Sequence, residues 1–129
     1  MNEPQIVVGV AVIRAGRVLA ALRPGPDGGW EFPGGKVEPG ETDEQAAVRE
    51  LREELALEIK PRRSLGPPQA IGEKYLLKVY AADLLGGEPV LHEHSAIRWV
   101  GPAELAGLNW LPADRPFLSE LRKVMVCDI

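Results

Sequence analysis

At 129 residues and a formal net charge of −4, the chain has the length of one domain and the wrong sign for a general nucleic-acid-binding surface. Its 45% hydrophobic content fits a globular class with a real core, and no apolar run approaches the roughly 20 residues that a membrane span needs. A single cysteine, Cys127, excludes an internal disulfide, and the N-terminus lacks the basic-then-apolar layout of a secretory signal, so a cytoplasmic setting is expected.

No Gly/Ser linker, repeat or low-complexity stretch divides residues 1–129, which are read as one domain, either monomer or homodimer. Ile6 to Ile13 is apolar and β-branched almost throughout, the pattern of a central strand covered on both faces. Arg14-Ala15-Gly16-Arg17 reads as a hairpin turn, and Val18 to Leu22 returns as a second strand. Arg23 ends that strand, either as a solvated terminus or as a planar fork for a phosphate. Trp30 to Phe32 forms a short strand feeding a loop built on Gly34, Gly35 and Gly40 with Pro33 and Pro39, whose backbone can approach a ligand closely. Lys36 lies in that loop.

Thr42 followed three residues later by Gln45 is a capping-box pattern, predicting a helix from Asp43 to about Ala56. At about 100° per residue, Ala47, Val48, Leu51 and Leu55 form an apolar stripe, while Glu50, Glu53 and Glu54 gather on a neighbouring face. Clustered carboxylates repel, and a solvated face with Arg49 pairing Glu53 is one way to accommodate them. A divalent cation is the other. Hard oxygen donors suit Mg²⁺, with Mn²⁺ possible, and such ions sit between carboxylates and substrate phosphates.

Beyond the helix, Leu57 to Leu65 and Gln69 to Leu85 read as strands, broken by Pro67-Pro68 and ended by Gly86-Gly87. Tyr75 and Tyr80 are expected to pack. His92, Glu93 and His94 precede a short strand, Ile97 to Val100, and with no cysteine nearby the histidines are read as loop residues whose charge varies near neutral pH rather than as metal ligands. Pro112-Ala113-Asp114-Arg115-Pro116 introduces a last helix, about Phe117 to Val124, with Asp114 near its start as a helix cap or as a recognition group.

Gly35, five residues, Glu41, seven residues, Arg49-Glu50-Leu51, one residue, Glu53-Glu54, one residue, then Ala56-Leu57 resembles the Nudix box at every fixed position but Ala56, where that pattern has glycine. The resemblance implies an α/β fold, an α/β/α sandwich around a mixed sheet. It also implies metal binding by Gly34, Glu50, Glu53, Glu54 and Glu93, the last aligned through Trp99 with a glutamate of MutT-like relatives. Glu53, Glu50, Glu54, Arg49 and Glu93 are the expected catalytic group, with Glu53 before Glu93 as base, Arg49 orienting the glutamates and Glu41 supporting the loop.

Arg23, Phe32, Lys36 and Asp114 are the expected substrate-binding residues, Asp114 matching a nucleobase-reading position of MutT-like proteins. The implied reaction is hydrolysis of a nucleoside triphosphate to monophosphate and pyrophosphate, not cleavage of a nucleic-acid polymer. Both 8-oxo-dGTP and CTP, dCTP or 5-methyl-dCTP are open as substrates. ADP-ribose or dinucleoside polyphosphate hydrolysis, or a non-catalytic binding module, are further alternatives.

Overall fold

The computed structural model describes residues 3–127. In chain order they form β1 (Gln5–Arg14), β2 (Arg17–Leu22), β3 (Trp30–Glu31), β4 (Gly34–Lys36), α1 (Asp43–Leu55), β5 (Glu58–Ser64), β6 (Gln69–Ile71), β7 (Tyr75–Gly86), β8 (Ala96–Val100), two 3-10 turns (Pro102–Gly107 and Arg115–Phe117) and α2 (Leu118–Cys127). The described strands make one mixed sheet in the order β3-β2-β1-β7-β5, with β4 added to β1, β6 to β7 and β8 to β2. β1 and β7 run parallel over nine residue pairs from Gln5↔Tyr75 to Ile13↔Asp83, and the other pairings are antiparallel.

The sheet is covered on both faces because β1 is apolar on both. Val8, Val10 and Val12 point to one side and pack with Leu19 against Ala46, Ala47, Leu51 and Leu55 of α1. Ala11 and Ile13 point to the other, joining Val79, Trp110, Phe117, Leu121 and Met125 beneath α2. Two cores flank one sheet, giving the α/β/α layering expected from the family resemblance.

Helix α1 begins where the capping box places it. Gln45 N–H donates to Thr42 Oγ1 at 3.0 Å, and Thr42 N–H donates to Gln45 Oε1 at 2.9 Å. Leu51 and Leu55 are fully buried, each worth about 1.5–3 kcal/mol of apolar transfer. Ala56 ends the helix in the left-handed conformation, φ 57° and ψ 34°, its N–H reaching Arg52 O at 3.1 Å while Leu57 N–H reaches Leu51 O at 3.1 Å. The cap keeps its geometry although an alanine occupies it.

Two expectations are corrected and a third is refined. Gln69 to Leu85 is two strands, not one, folded into a hairpin at Gly72-Glu73-Lys74 so that β6 runs back along β7. The last helix starts at Leu118, because Arg115–Phe117 with its internal Pro116 winds as a tighter 3-10 turn. His94 keeps its expected place in the loop before β8 but is buried there and paired, since that segment folds in against β3.

Candidate active site

The strand ends and the glycine loop surround a cleft of about 960 Å³. Its acidic end is built by the loop and α1 together. The Arg49 guanidinium lies between several acids, donating to Glu41 at 2.6 and 2.9 Å, to Glu50 at 2.9 Å, to Glu53 at 3.2 Å and to the Lys36 carbonyl at 3.0 Å. Glu41 also accepts from the Glu38 amide at 2.9 Å, and the Arg49 hydrogen bond, with that amide, holds its carboxyl down to about 2. Arg49 thus ties the loop to the helix and hydrogen-bonds Glu50.

Close approach explains the glycines here. A Cβ on Gly35 would lie 2.5 Å from the Glu50 carboxyl carbon, and one on Gly34 would lie 1.9 Å from the Val8 carbonyl oxygen. Glycine therefore lets the loop press against both the acid and the central strand.

The helical glutamates are not equivalent. Glu54 is 8% exposed and lines the cleft, and its Oε2 has no hydrogen-bond partner among the described residues. Burial first, then the charges of Glu50, Glu93 and Glu31, push its carboxyl up to about 8. Glu50 is half-buried beside it, whereas the Glu53 side chain is 60% exposed on the outer side of the helix. Glu93 is exposed at the cleft margin.

Among the described residues no three Asp, Glu, His or Cys side chains converge on a common metal position. What is present is an open site: a buried, unpartnered carboxylate oxygen on Glu54, Glu50 next to it, and space towards the cleft. Oxygen-only donors with room for phosphate and water fit Mg²⁺ or Mn²⁺ and do not fit a soft metal.

The other end of the cleft is lined by Phe32, Leu111, Ala113 and Asp114. Phe32 is buried, its ring centroid 4.9 Å from that of Trp110, and forms floor rather than rim. Asp114 is 5% exposed, and its side chain caps no helix: the backbone is αR and no capping hydrogen bond forms. The helix-cap alternative for Asp114 is thereby set aside. Burial, then the nearby charge of Glu31, raises the Asp114 carboxyl to about 7, the Phe32 amide and Arg23 pulling the other way.

Lys36 reaches over the Tyr75 ring with Nζ 5.5 Å from its centroid, and both line the cleft, so Tyr75 is a wall residue and not only packing. Tyr80 lies elsewhere, donating to Asp43 at 2.7 Å. Arg23 also lines the cleft but is engaged with Glu31 at 2.9 Å.

Glu31 and the β6–β7 hairpin are the parts of the site that the sequence reading left out. Glu31 carries one usable signal, an acid between Trp30 and Phe32 on a strand leading into a glycine loop. The hairpin carries none, because its contribution depends on folding back at Gly72.

A family model described as NUDIX domain matches residues 3–121. The chain is 42% identical over 127 residues to a putative 8-oxo-dGTP diphosphatase 2 of Mycobacterium tuberculosis, covering 94% of this chain and 90% of that protein. It is 38% identical over 118 residues to the CTP pyrophosphohydrolase of Escherichia coli strain K12, covering 88% and 87%. Among solved structures, the solution structure of the E. coli ORF135 protein aligns with a TM-score of 0.82 at 35% identity, covering 97% of this chain and 93% of that one. The crystal structure of a MutT Nudix hydrolase from Burkholderia pseudomallei aligns with a TM-score of 0.72 at 30% identity, covering 92% and 98%. With an acid-lined cleft, a complete set of box carboxylates and this agreement along almost the whole chain, the protein belongs to the Nudix family and is a Nudix hydrolase.

Proposed function

We propose that the protein is a Mg²⁺-dependent nucleoside triphosphate pyrophosphohydrolase whose substrate is 8-oxo-dGTP, released as the monophosphate and pyrophosphate. The observation that carries the reading is one cleft with two differently prepared acids, Glu54 at the phosphate end and Asp114 at the other.

Glu50 and Glu54 would hold the cation, joined by Glu53, Glu93 and the Gly34 carbonyl in the family's manner. When bound, the cation neutralises phosphate charge and makes a coordinated water more acidic. Arg49 keeps Glu50 and Glu41 in place, and Lys36, with Arg23 when it leaves Glu31, screens the equatorial phosphate oxygens. Glu53 is the first candidate to take the proton of the attacking water, and Glu93 the second.

Asp114, with a carboxyl near 7, is available at neutral pH in its protonated form, which donates one hydrogen bond and accepts another. That pair of bonds matches adjacent O6 and N7–H on 8-oxoguanine, and the cleft has room for a purine nucleotide. It equally matches N3 and the amino group of cytosine. Hydrolysis of CTP, dCTP or 5-methyl-dCTP is therefore the second reading, favoured by the similarity to the E. coli CTP pyrophosphohydrolase.

Pyrophosphate release should be followed with Mg²⁺ for 8-oxo-dGTP, dGTP, CTP, dCTP and 5-methyl-dCTP, alongside ADP-ribose and a dinucleoside polyphosphate. Wild type is expected to prefer 8-oxo-dGTP, and Asp114→Ala to lose at least about tenfold in kcat/KM on it. Equal rates for every base in both proteins would remove the recognition role of Asp114. Cleavage confined to ADP-ribose or dinucleoside polyphosphates would replace the triphosphate reading.

A further inference from the structure

Glu31 and His94 have no task in the phosphate chemistry, yet they form the most tightly held acid in the cleft. His94 Nε2 lies 2.9 Å from Glu31 Oε2, and Arg23 Nη2 lies 2.9 Å from Glu31 Oε1, so each carboxylate oxygen has its own partner. The His94 side chain is 5% exposed, while that of Arg23 is 59% exposed. His94 Nδ1 is buried without a partner among the described residues, a defect that a core position seldom keeps and a site can.

The two partners differ in what else is asked of them. Arg23 is long, solvated and lines the cleft, so a bound triphosphate can compete for its guanidinium. His94 is buried between Glu93 and β8, and Ser95 is anchored beside it by donating its N–H to the Leu22 carbonyl at 3.0 Å. Once Arg23 turns to phosphate, His94 alone keeps Glu31 in place.

A carboxylate held in this way can only accept hydrogen bonds from a ligand. Glu31 lines the same cleft as Asp114 and Phe32. A base offering an amino group to that acceptor is satisfied, whereas a keto oxygen in the same place sets two acceptors against each other inside a partly desolvated cleft.

We propose that His94 is a positioning residue that holds Glu31 as a fixed acceptor, and that Glu31 makes the cleft choose bases carrying an exocyclic amino group over their keto counterparts. The inference rests on the nucleoside triphosphate reading of this cleft and names the chemical feature that the base must carry. The raised Asp114 carboxyl agrees with a negative Glu31 beside it, pairing one acceptor with one donor.

Matched pairs that exchange the exocyclic amino group for a keto oxygen test it: dCTP against dUTP, and 8-oxo-dGTP against its 2-keto counterpart, the 8-oxo-deoxyxanthosine triphosphate. Wild type should prefer the amino member of the pair it hydrolyses. His94→Leu, with its thermal midpoint checked, should lower the amino-to-keto ratio of kcat/KM by at least about tenfold, mainly through KM, and His94→Gln, which keeps a donor towards Glu31, should restore most of it. If His94→Leu does not fold, Glu31→Gln serves instead, since its amide can donate to a keto oxygen and should shift the ratio the same way. No preference within the pairs in wild type, or an unchanged ratio in the folded His94→Leu or in Glu31→Gln, overturns the proposal while leaving triphosphate hydrolysis standing. A wild type inert on all nucleoside triphosphates removes both.

Discussion

The two ends of the cleft solve the problem of buried negative charge differently. At the phosphate end, Glu41, Glu50 and Glu53 share one guanidinium, Arg49, and all four residues come from a single loop-and-helix segment. Glu54 is left out of that arrangement and keeps a buried oxygen without a partner among the described residues. At the other end, the acids come from separate segments, Glu31 from β3 and Asp114 from the turn before α2, and Glu31 is held both by Arg23 of the preceding strand end and by His94, 63 residues away. The first arrangement leaves Glu54 as the acid that the proposed cation would engage, while the second leaves Glu31 as the acceptor that the proposed base would meet.

The largest effects should come from charge removal at the phosphate end. Glu54→Gln and Glu53→Gln are each expected to lower Mg²⁺-supported kcat on the order of a thousandfold. Their stabilities should diverge. Without divalent cation and near pH 8, Glu54→Gln should melt higher than wild type because folding no longer has to hold a proton on a buried carboxyl that the unfolded chain releases, and Glu53→Gln should melt unchanged because its pair is solvent-screened. Near-normal turnover in either variant, or identical melting shifts in both, would erase the distinction between them.

A middle-sized effect should separate Asp114 from an ordinary surface acid. Folded Asp114 holds its proton up to about pH 7, whereas an unfolded aspartate releases it near pH 3.9, so between those values the folded state binds more protons and stability falls as pH rises. Asn has nearly the same shape and no charge to bury. Chemical denaturation should find Asp114→Asn no more stable than wild type at pH 4, and ahead by on the order of 2 kcal/mol at pH 8. A pH-independent difference would mean that Asp114 is not a buried, proton-holding group.

The smallest effect lies outside the cleft. Ala56 holds a left-handed cap that costs alanine but not glycine, so Ala56→Gly should stabilise the protein by about 0.5–1 kcal/mol with unchanged kcat/KM. A loss of activity there would show that the α1 terminus, and not only its glutamates, takes part in the site.

Much of the fold could be read from residue types. The apolar run of β1 announces its central place, since only a strand covered on both faces leaves Val8, Val10, Val12 and also Ala11 fully buried. The hairpin at Ala15-Gly16 and the capping box at Thr42 are local chemistry, and both form where the residues require. Failure came where one segment folds onto another. The alternation of Gln69 to Leu85 does not say that the chain reverses at Gly72, and the polar look of His92-Glu93-His94 does not say that its third member turns inward.

From sequence alone follow the acidic helix, its cap, the glycine loop and the pairing of Arg49 with Glu53, because residues three and four apart at one helix meet whatever the remainder of the chain does. Tertiary structure alone decided that Glu54 is buried while Glu53 is solvated, that Asp114 is free of helix capping, and that His94 meets Glu31 across 63 residues. The physical reason is that burial and long-range pairing depend on which surfaces the sheet brings together, and periodicity within a segment carries no record of the partner it will face.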